Sequence, residues 1–237
     1  NDFLPDFDTI PENVYSRTKL MFLNYPNNPT SACADFTFFE KALFYAEKYD
    51  FVIVQDMAYS EIYFYEPPVS MLEIEGAKKR VIEYYSLSKT YNMTGWRIGF
   101  AAGGAELIKG LATVKDNMDS GPFTAIQETA AFALYNCGEE SAGIRELYKR
   151  RAELFYKGLT GLGYEVLEPR ATLYLWIKVP EGYTSMQFSS KLLDEADIVM
   201  TPGIGFGDSA DSYVRIALTV EEDRINQALD RISKLKK

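Results

Sequence analysis

The sequence predicts an α/β fold, part of a mostly parallel sheet, followed by a smaller α+β domain. Three observations carry this expectation. Short apolar runs alternate with amphipathic helical stretches from Leu20 to Tyr135. A long charged stretch, Ile144–Leu162, then keeps helical spacing and closes on Gly161 and Gly163. Beyond it, four short strand-like runs are interleaved with two helical ones.

Element by element, Leu20–Leu23 (LMFL) reads as a continuous apolar strand that breaks into the turn Asn24-Tyr25-Pro26-Asn27-Asn28-Pro29-Thr30. Phe36–Tyr49 has the spacing of a helix with Phe39, Leu43, Phe44 and Ala46 toward a core, and it leads into the strand Phe51–Val54 (FVIV). Those pieces make one βαβ unit. Arg80–Tyr85 (RVIEYY) and Arg97–Ala102 (RIGFAA) read as strands flanking a polar SLSK loop, and Glu106–Asp116 and Phe123–Tyr135 read as helices. In the C-terminal part, Tyr164–Leu167, Leu173–Val179, Ile198–Thr201 and Tyr213–Leu218 are expected strands, and Ser185–Glu195 and Glu221–Lys234 expected helices. The expected division is 1–140 for the sheet domain, 141–162 for a linking helix and 163–237 for the small domain.

Composition narrows the function. The 237 residues carry a net charge of −9, which disfavours a nucleic-acid surface, and the basic residues are dispersed. No apolar run approaches a membrane span, and no signal peptide, lipidation motif or repeat is present. There is no histidine, which removes histidine-dependent triads, most zinc hydrolase sites and imidazole acid–base catalysis; no metal site is expected. Lysine remains as the natural proton carrier. Cys33 and Cys137 lack any metal-ligand spacing and read as reduced packing residues, so the chain is expected to be soluble and cytoplasmic.

Four polar islands interrupt the apolar strands. In Ser86–Gly103 (SLSKTYNMTGWRIGFAAG), Lys89 follows a strand end, where open α/β sheets bind ligands. A lysine in a partly dry site beside another cation loses its proton and can form a Schiff base. Arg97 supplies a cation and a fork of donors suited to phosphate, and Ser86 and Ser88 add hydroxyls. Asp56 closes the FVIV strand and is followed by Tyr59. Asn28 lies in the double-proline turn, and Arg215 sits mid-strand in SYVRIAL, where it needs an anionic partner. Taken singly, each has a plain structural explanation: a surface lysine, a strand-end carboxylate, a core tyrosine, a turn former, an ion-pair partner.

Taken together and in chain order, NNPT, DxAY, SxSK with GWR, and VRIA resemble the fold-type I, pyridoxal-phosphate-dependent aminotransferases of class I/II. The resemblance runs from Leu20 to the C-terminus. It implies that Lys89 holds the cofactor aldehyde as a Schiff base and that Asp56 pairs with the pyridine nitrogen. It further implies that Tyr59 and Asn28 hydrogen-bond the ring's phenolate oxygen, that Ser86, Ser88 and Arg97 bind the phosphate, and that Arg215 clamps the substrate α-carboxylate. Domain closure would then bring that clamp to the reacting carbon.

The GWR motif with NYPNNPT upstream is most similar to the branch holding LL-diaminopimelate and aspartate aminotransferases. The expected reaction is amino transfer between an amino acid and a 2-oxo acid, with LL-diaminopimelate and 2-oxoglutarate as the favoured pair, in a homodimer of the complete protein. Two other classes share the anchoring residues: a pyridoxal-phosphate lyase of the same fold, such as a C–S lyase, and a non-catalytic binding module that kept the fold. The family has a substantial N-terminal part before the NNPT turn. Without it, the present chain is expected to bind pyridoxal phosphate weakly and to have little or no activity.

Overall fold

The computed structural model describes residues 3–235. Residues 1–2 and 236–237, the outermost positions of the expected domains, lie outside the described residues. By internal contacts the chain divides into two compact units. One holds the residues through Pro26 together with Ala32–Ile144; the other holds Asn27–Ser31 together with the residues from Arg145 on.

In the first unit, a single helical turn, α1 (Glu12–Tyr15), precedes strand β1 (Leu20–Asn24). Helix α2 (Phe36–Tyr49) starts where the Asp35 carboxylate accepts from the Phe38 N–H at 2.7 Å, and it ends at Asp50 in the left-handed region. Strands β2 (Val52–Asp56) and β3 (Val81–Ser86) follow, then the short helix α3 (Leu87–Thr90) and strand β4 (Gly99–Gly103). The sheet order is β1-β2-β3-β4, parallel through β3 and antiparallel at β4. Helices α4 (Ala105–Asp116) and α5 (Thr124–Asn136) come next. Phe7, Tyr15, Phe39, Phe51, Ile53 and Met71 anchor the core. Gly99 lets β4 pass close to β3, because a Cβ there would stand 2.4 Å from the Tyr85 carbonyl oxygen.

Helix α6 (Gly138–Gly161) carries the chain from the first unit into the second. The second unit's sheet is built from β5 (Tyr174–Lys178), β6 (Thr201–Pro202) and β7 (Tyr213–Ala217), antiparallel in the order β5-β7-β6. Helix α7 (Ser185–Ala196) begins with a reciprocal Thr184–Gln187 cap, and α8 (Glu222–Ser233) buries Ile225, Ala228 and Ile232 along one stripe. Arg151 on α6 is buried and joins the start of α8, donating to Glu221 at 2.8 Å and to the Leu218 carbonyl at 3.3 Å.

Several expectations need correction. Phe44 does not face the core: it is 57% exposed, because it lies about 140° around the helix from Phe39. The expected strand Tyr164–Leu167 contributes only one bridge, Val166 to Ile177, and Ile198–Thr201 shrinks to Thr201–Pro202. The last strand before α4 starts at Gly99, because Arg97 turns left-handed ahead of it. The linking helix begins six residues early, at Gly138 rather than Ile144. Finally, the SLSK loop is helical from Leu87, so Lys89 sits on a turn of helix directly off β3.

Candidate active site

The first unit sets most of the candidate residues at one edge of its sheet. Strands β2 and β3 run parallel, with Asp56 paired to Tyr84, so Asp56 and Ser86 leave the sheet at the same, C-terminal, end. Ligands of open α/β sheets bind outside the carboxyl ends of the strands. Asn24, the β1 partner of Asp56, donates from Nδ2 to the Asp56 carbonyl at 2.9 Å and ties the neighbouring strand end down. The Asp56 side chain is exposed, and its Oδ1 accepts from the Ala58 N–H at 3.0 Å. That bond bends the chain just before Tyr59, whose ring is buried.

Lys89 lies three residues past Ser86, half-buried, with its Nζ 5.9 Å from the centroid of the Tyr59 ring. Among the described residues no carboxylate pairs with it. Ser88 is buried, and its carbonyl accepts from the Thr94 hydroxyl at 3.3 Å. Arg97 is exposed and left-handed, at φ 53 and ψ 47. A residue with a Cβ held in that region costs about 1–2 kcal/mol. Its Nη1 donates to the Thr94 carbonyl at 3.0 Å, and among the described residues no carboxylate neutralises it. Arg97 also borders a mostly apolar cavity of about 790 Å³ between β4 and α4, which Lys89 and Asp56 do not line. The cavity and the polar residues at the strand ends thus share Arg97.

Behind the cluster, β2 and β3 carry two buried polar side chains on which the strand ends rest. Gln55 donates to the Tyr25 carbonyl at 2.7 Å. Glu83 accepts from the Ser70 hydroxyl at 2.7 Å, the Met71 N–H at 2.6 Å and the Tyr85 hydroxyl at 2.5 Å. Burial, reinforced by the bond to Glu83, holds the Tyr85 hydroxyl well above the ordinary phenol range.

The second unit brings together Asn28 and Arg215. Asn28 stands in the turn Asn27–Ser31, which Asn27 organises by accepting from the Thr30 N–H at 3.1 Å and its hydroxyl at 2.7 Å. Ser31 donates to the Ala171 carbonyl at 2.5 Å and accepts from the N–H groups of Arg170 and Ala171 at 3.1 and 3.0 Å. This fixes the turn beside Tyr174 at the head of β5. Arg215, on β7, donates from Nη1 to Asn28 Oδ1 at 2.7 Å and from Nη2 to Thr201 Oγ1 at 3.4 Å. Its Nε is buried without an acceptor, and no carboxylate pairs with it among the described residues. A guanidinium so placed is a cation lacking its anion.

The family model for aminotransferase class I and II matches residues 1–232. The chain belongs to the class I and II aminotransferases. It is 50% identical over all 237 residues to the LL-diaminopimelate aminotransferase of Aquifex aeolicus, covering 61% of that protein. It is 49% identical over 235 residues to LL-diaminopimelate aminotransferase 2 of Trichormus variabilis, covering 98% of this chain and 60% of the relative. The chain thus spans about three fifths of the length of these curated relatives. Among solved structures, substrate-bound BacF from Bacillus subtilis superposes with a TM-score of 0.94 at 38% identity, over 99% of this chain and 60% of that one. A probable N-succinyldiaminopimelate aminotransferase from Thermus thermophilus gives 0.93 at 37% identity, over 99% and 63%.

The cofactor of this aminotransferase family is pyridoxal 5′-phosphate, and the residues present fit it. An amine without a carboxylate partner, a strand-end carboxylate, an exposed arginine and the hydroxyl-bearing Ser86 and Ser88 are the donor set that an aldehyde, a pyridine nitrogen and a phosphate require. Three residues around Arg215 carried no assigned role at the level of sequence: Thr201, Phe206 and Tyr174. Tyr174 and Thr201 fall in expected strands, whereas Phe206 falls in no expected element.

Proposed function

We propose that the complete protein is a pyridoxal-phosphate-dependent aminotransferase that moves an amino group between LL-diaminopimelate and a 2-oxo acid such as 2-oxoglutarate. The observation that carries this reading is Lys89, an amine with no carboxylate partner among the described residues, on the turn leaving β3 and 5.9 Å from the ring centroid of Tyr59, which itself stands three residues past the strand-end carboxylate of Asp56. The choice of amino donor rests on identity near one half to LL-diaminopimelate aminotransferases along the whole chain.

When bound, the cofactor supplies an electron sink for the electron pair left as the substrate α-proton departs. Lys89 would hold the cofactor aldehyde, and its Nζ would act toward the substrate α-proton as general base and then acid. The Asp56 carboxylate keeps a proton on the pyridine nitrogen, since an ionised neighbour favours the cationic ring. Ser86, Ser88 and Arg97 hold the phosphate, with Arg97 offering a charged fork. Tyr59 and Asn28 hydrogen-bond the phenolate oxygen of the ring. Arg215 receives the α-carboxylate, which orients the α-C–H bond as well as holding the substrate.

The same proposal covers the arrangement around the chemistry: residues 1–140 as the later part of the large cofactor domain, 141–162 as the linking helix, and 163–237 as the small domain. It also includes a homodimer and a cytoplasmic location. Among the described residues no helix is long and apolar enough to cross a membrane.

A panel of amino donors, presented to the complete protein with 2-oxoglutarate, tests the reading. LL-diaminopimelate should be the preferred donor, with glutamate formed in equal amount to the new oxo acid. Release of ammonia without glutamate would instead identify a lyase, and borohydride treatment that leaves Lys89 unlabelled would identify a binding module.

A further inference from the structure

Two aromatic rings lie within cation–π reach of the Arg215 guanidinium. Its Cζ lies 4.1 Å from the centroid of the Tyr174 ring and 5.0 Å from that of Phe206. Tyr174 opens β5 and is set by the β5–β7 ladder, where it pairs with Ala217. Phe206 comes from a separate element, the 3-10 turn Gly203–Phe206 that follows β6. Gly203 brings that turn in: a Cβ there would stand 2.0 Å from the Ala210 carbonyl oxygen and 2.5 Å from that of Tyr213. The Phe206 ring then meets Trp176 edge-on at 5.7 Å, and Trp176 stacks on Tyr213 at 5.3 Å. So the ring over Arg215 is braced from behind, although it remains 39% exposed.

We infer that Tyr174 and Phe206 are positioning residues that form an aromatic slot around Arg215 and make the clamp selective for planar carboxylates over tetrahedral oxyanions. This rests on the reading of Arg215 as the carboxylate clamp. A cation is attracted to the face of an aromatic ring, and two rings from separate elements confine the guanidinium. Asn28 and Thr201 each take one donor within its plane. A ligand meets the in-plane donors that those two leave open. A carboxylate has both oxygens in one plane and can accept two parallel hydrogen bonds there. A sulfonate of the same charge carries a third oxygen out of that plane, toward one of the rings. Pre-setting the guanidinium also removes rotamer freedom that a long side chain otherwise loses on binding.

The test compares two ligands of equal charge, propionate and ethanesulfonate, binding to the complete protein with its cofactor, followed by ligand-observed NMR titration. The expected result is that Phe206→Leu weakens propionate about tenfold and ethanesulfonate less than about twofold, so that the preference for the carboxylate collapses. Tyr174→Leu should act in the same direction, and Phe206→Tyr, which restores a ring, should restore the preference. An unchanged propionate-to-ethanesulfonate ratio in both leucine variants overturns the slot. If Arg215→Ala leaves propionate affinity unchanged, the clamp reading itself fails, and the slot with it; that outcome is distinct because it precedes any comparison of ratios. Thermal unfolding of each variant identifies a folding defect, and the two leucine variants, altered in separate elements, each suffice for the comparison.

Discussion

Arg215 Nη1 donates to Asn28 Oδ1 at 2.7 Å across 187 positions of sequence. The bond belongs to the second unit, which takes the turn Asn27–Ser31 as its own. Its acceptor is a neutral amide, so it orients the guanidinium without cancelling its charge. Asn28→Ala removes the acceptor and should raise KM for the amino donor about tenfold, since a hydrogen bond to a charged group contributes about 1.5–3 kcal/mol. Asn28→Asp should be worse for binding and better for stability, because the new carboxylate satisfies Arg215 in place of substrate. Steady-state kinetics and urea unfolding of the complete protein measure both effects. An aspartate variant that binds substrate as tightly as the native protein would contradict this account.

Lys89 supplies a second test. Lys89→Arg keeps a positive charge over Tyr59 but removes the nucleophilic amine. Turnover should fall by a factor of about 10²–10⁴ or more. Borohydride should no longer fix cofactor to the chain, while the thermal midpoint should stay within a few degrees. Peptide mapping after reduction gives the answer directly.

How far the sequence revealed all this depends on the kind of signal each residue carries. The strand ends were legible: Asp56 and Ser86 stand where the runs of β2 and β3 stop, and a polar residue at such a point is visible without any knowledge of contacts. Helix α2 was also legible, from Phe36 to Tyr49, because a 3.6-residue period is a local signal. Phe44 was misread for a related reason, since apolar character alone does not say which side of a helix a residue takes. The partners of Glu83 were hidden, because Ser70 and Met71 lie in an irregular stretch whose path no periodicity fixes. Phe206 was hidden too: its place over Arg215 follows from the close approach at Gly203, which is a tertiary fact.

Asp56 separates catalysis from folding. Its side chain is exposed and accepts a single hydrogen bond, from the Ala58 N–H. Asp56→Ala should therefore cost only about 0.5–1.5 kcal/mol of stability. Catalysis should suffer far more, by a factor of about 10² or greater, because nothing else named at that strand end offers a carboxylate to the pyridine nitrogen. A pyridine analogue of the cofactor with a permanently positive ring nitrogen should recover part of the loss in the alanine variant. Absence of any recovery would remove Asp56 from that role.

Glu83 has the opposite profile. It is fully buried and takes three hydrogen bonds, from Ser70, Met71 and Tyr85. Glu83→Ala strands all three donors in the interior, at a cost of about 2–4 kcal/mol. Glu83→Gln keeps the volume and one acceptor oxygen, so it should lose less, about half as much. The urea midpoint should order the proteins native, glutamine, alanine. Near-equal midpoints for native protein and alanine variant would mean that water replaces the carboxylate.

Tyr25 predicts how the first unit responds to alkali. Burial pushes its hydroxyl up to about 12 from an ordinary 10.0, and that hydroxyl donates to the Phe3 carbonyl at 2.9 Å. In the unfolded chain the phenol ionises near pH 10, whereas the folded chain keeps its proton until about pH 12. Between those values the unfolded state binds fewer protons, so stability falls as pH rises, by about 2–3 kcal/mol from this group when the window has been crossed. Below pH 10 the contribution is complete and flat. Tyr25→Phe removes this slope while losing one hydrogen bond, so its stability should be lower at neutral pH by about 1 kcal/mol and less steep above pH 10. Urea midpoints measured across that range, with tyrosinate absorbance followed in parallel, give the slopes. Identical slopes in native and variant protein would show that Tyr25 ionises as freely in the folded chain as in the unfolded one.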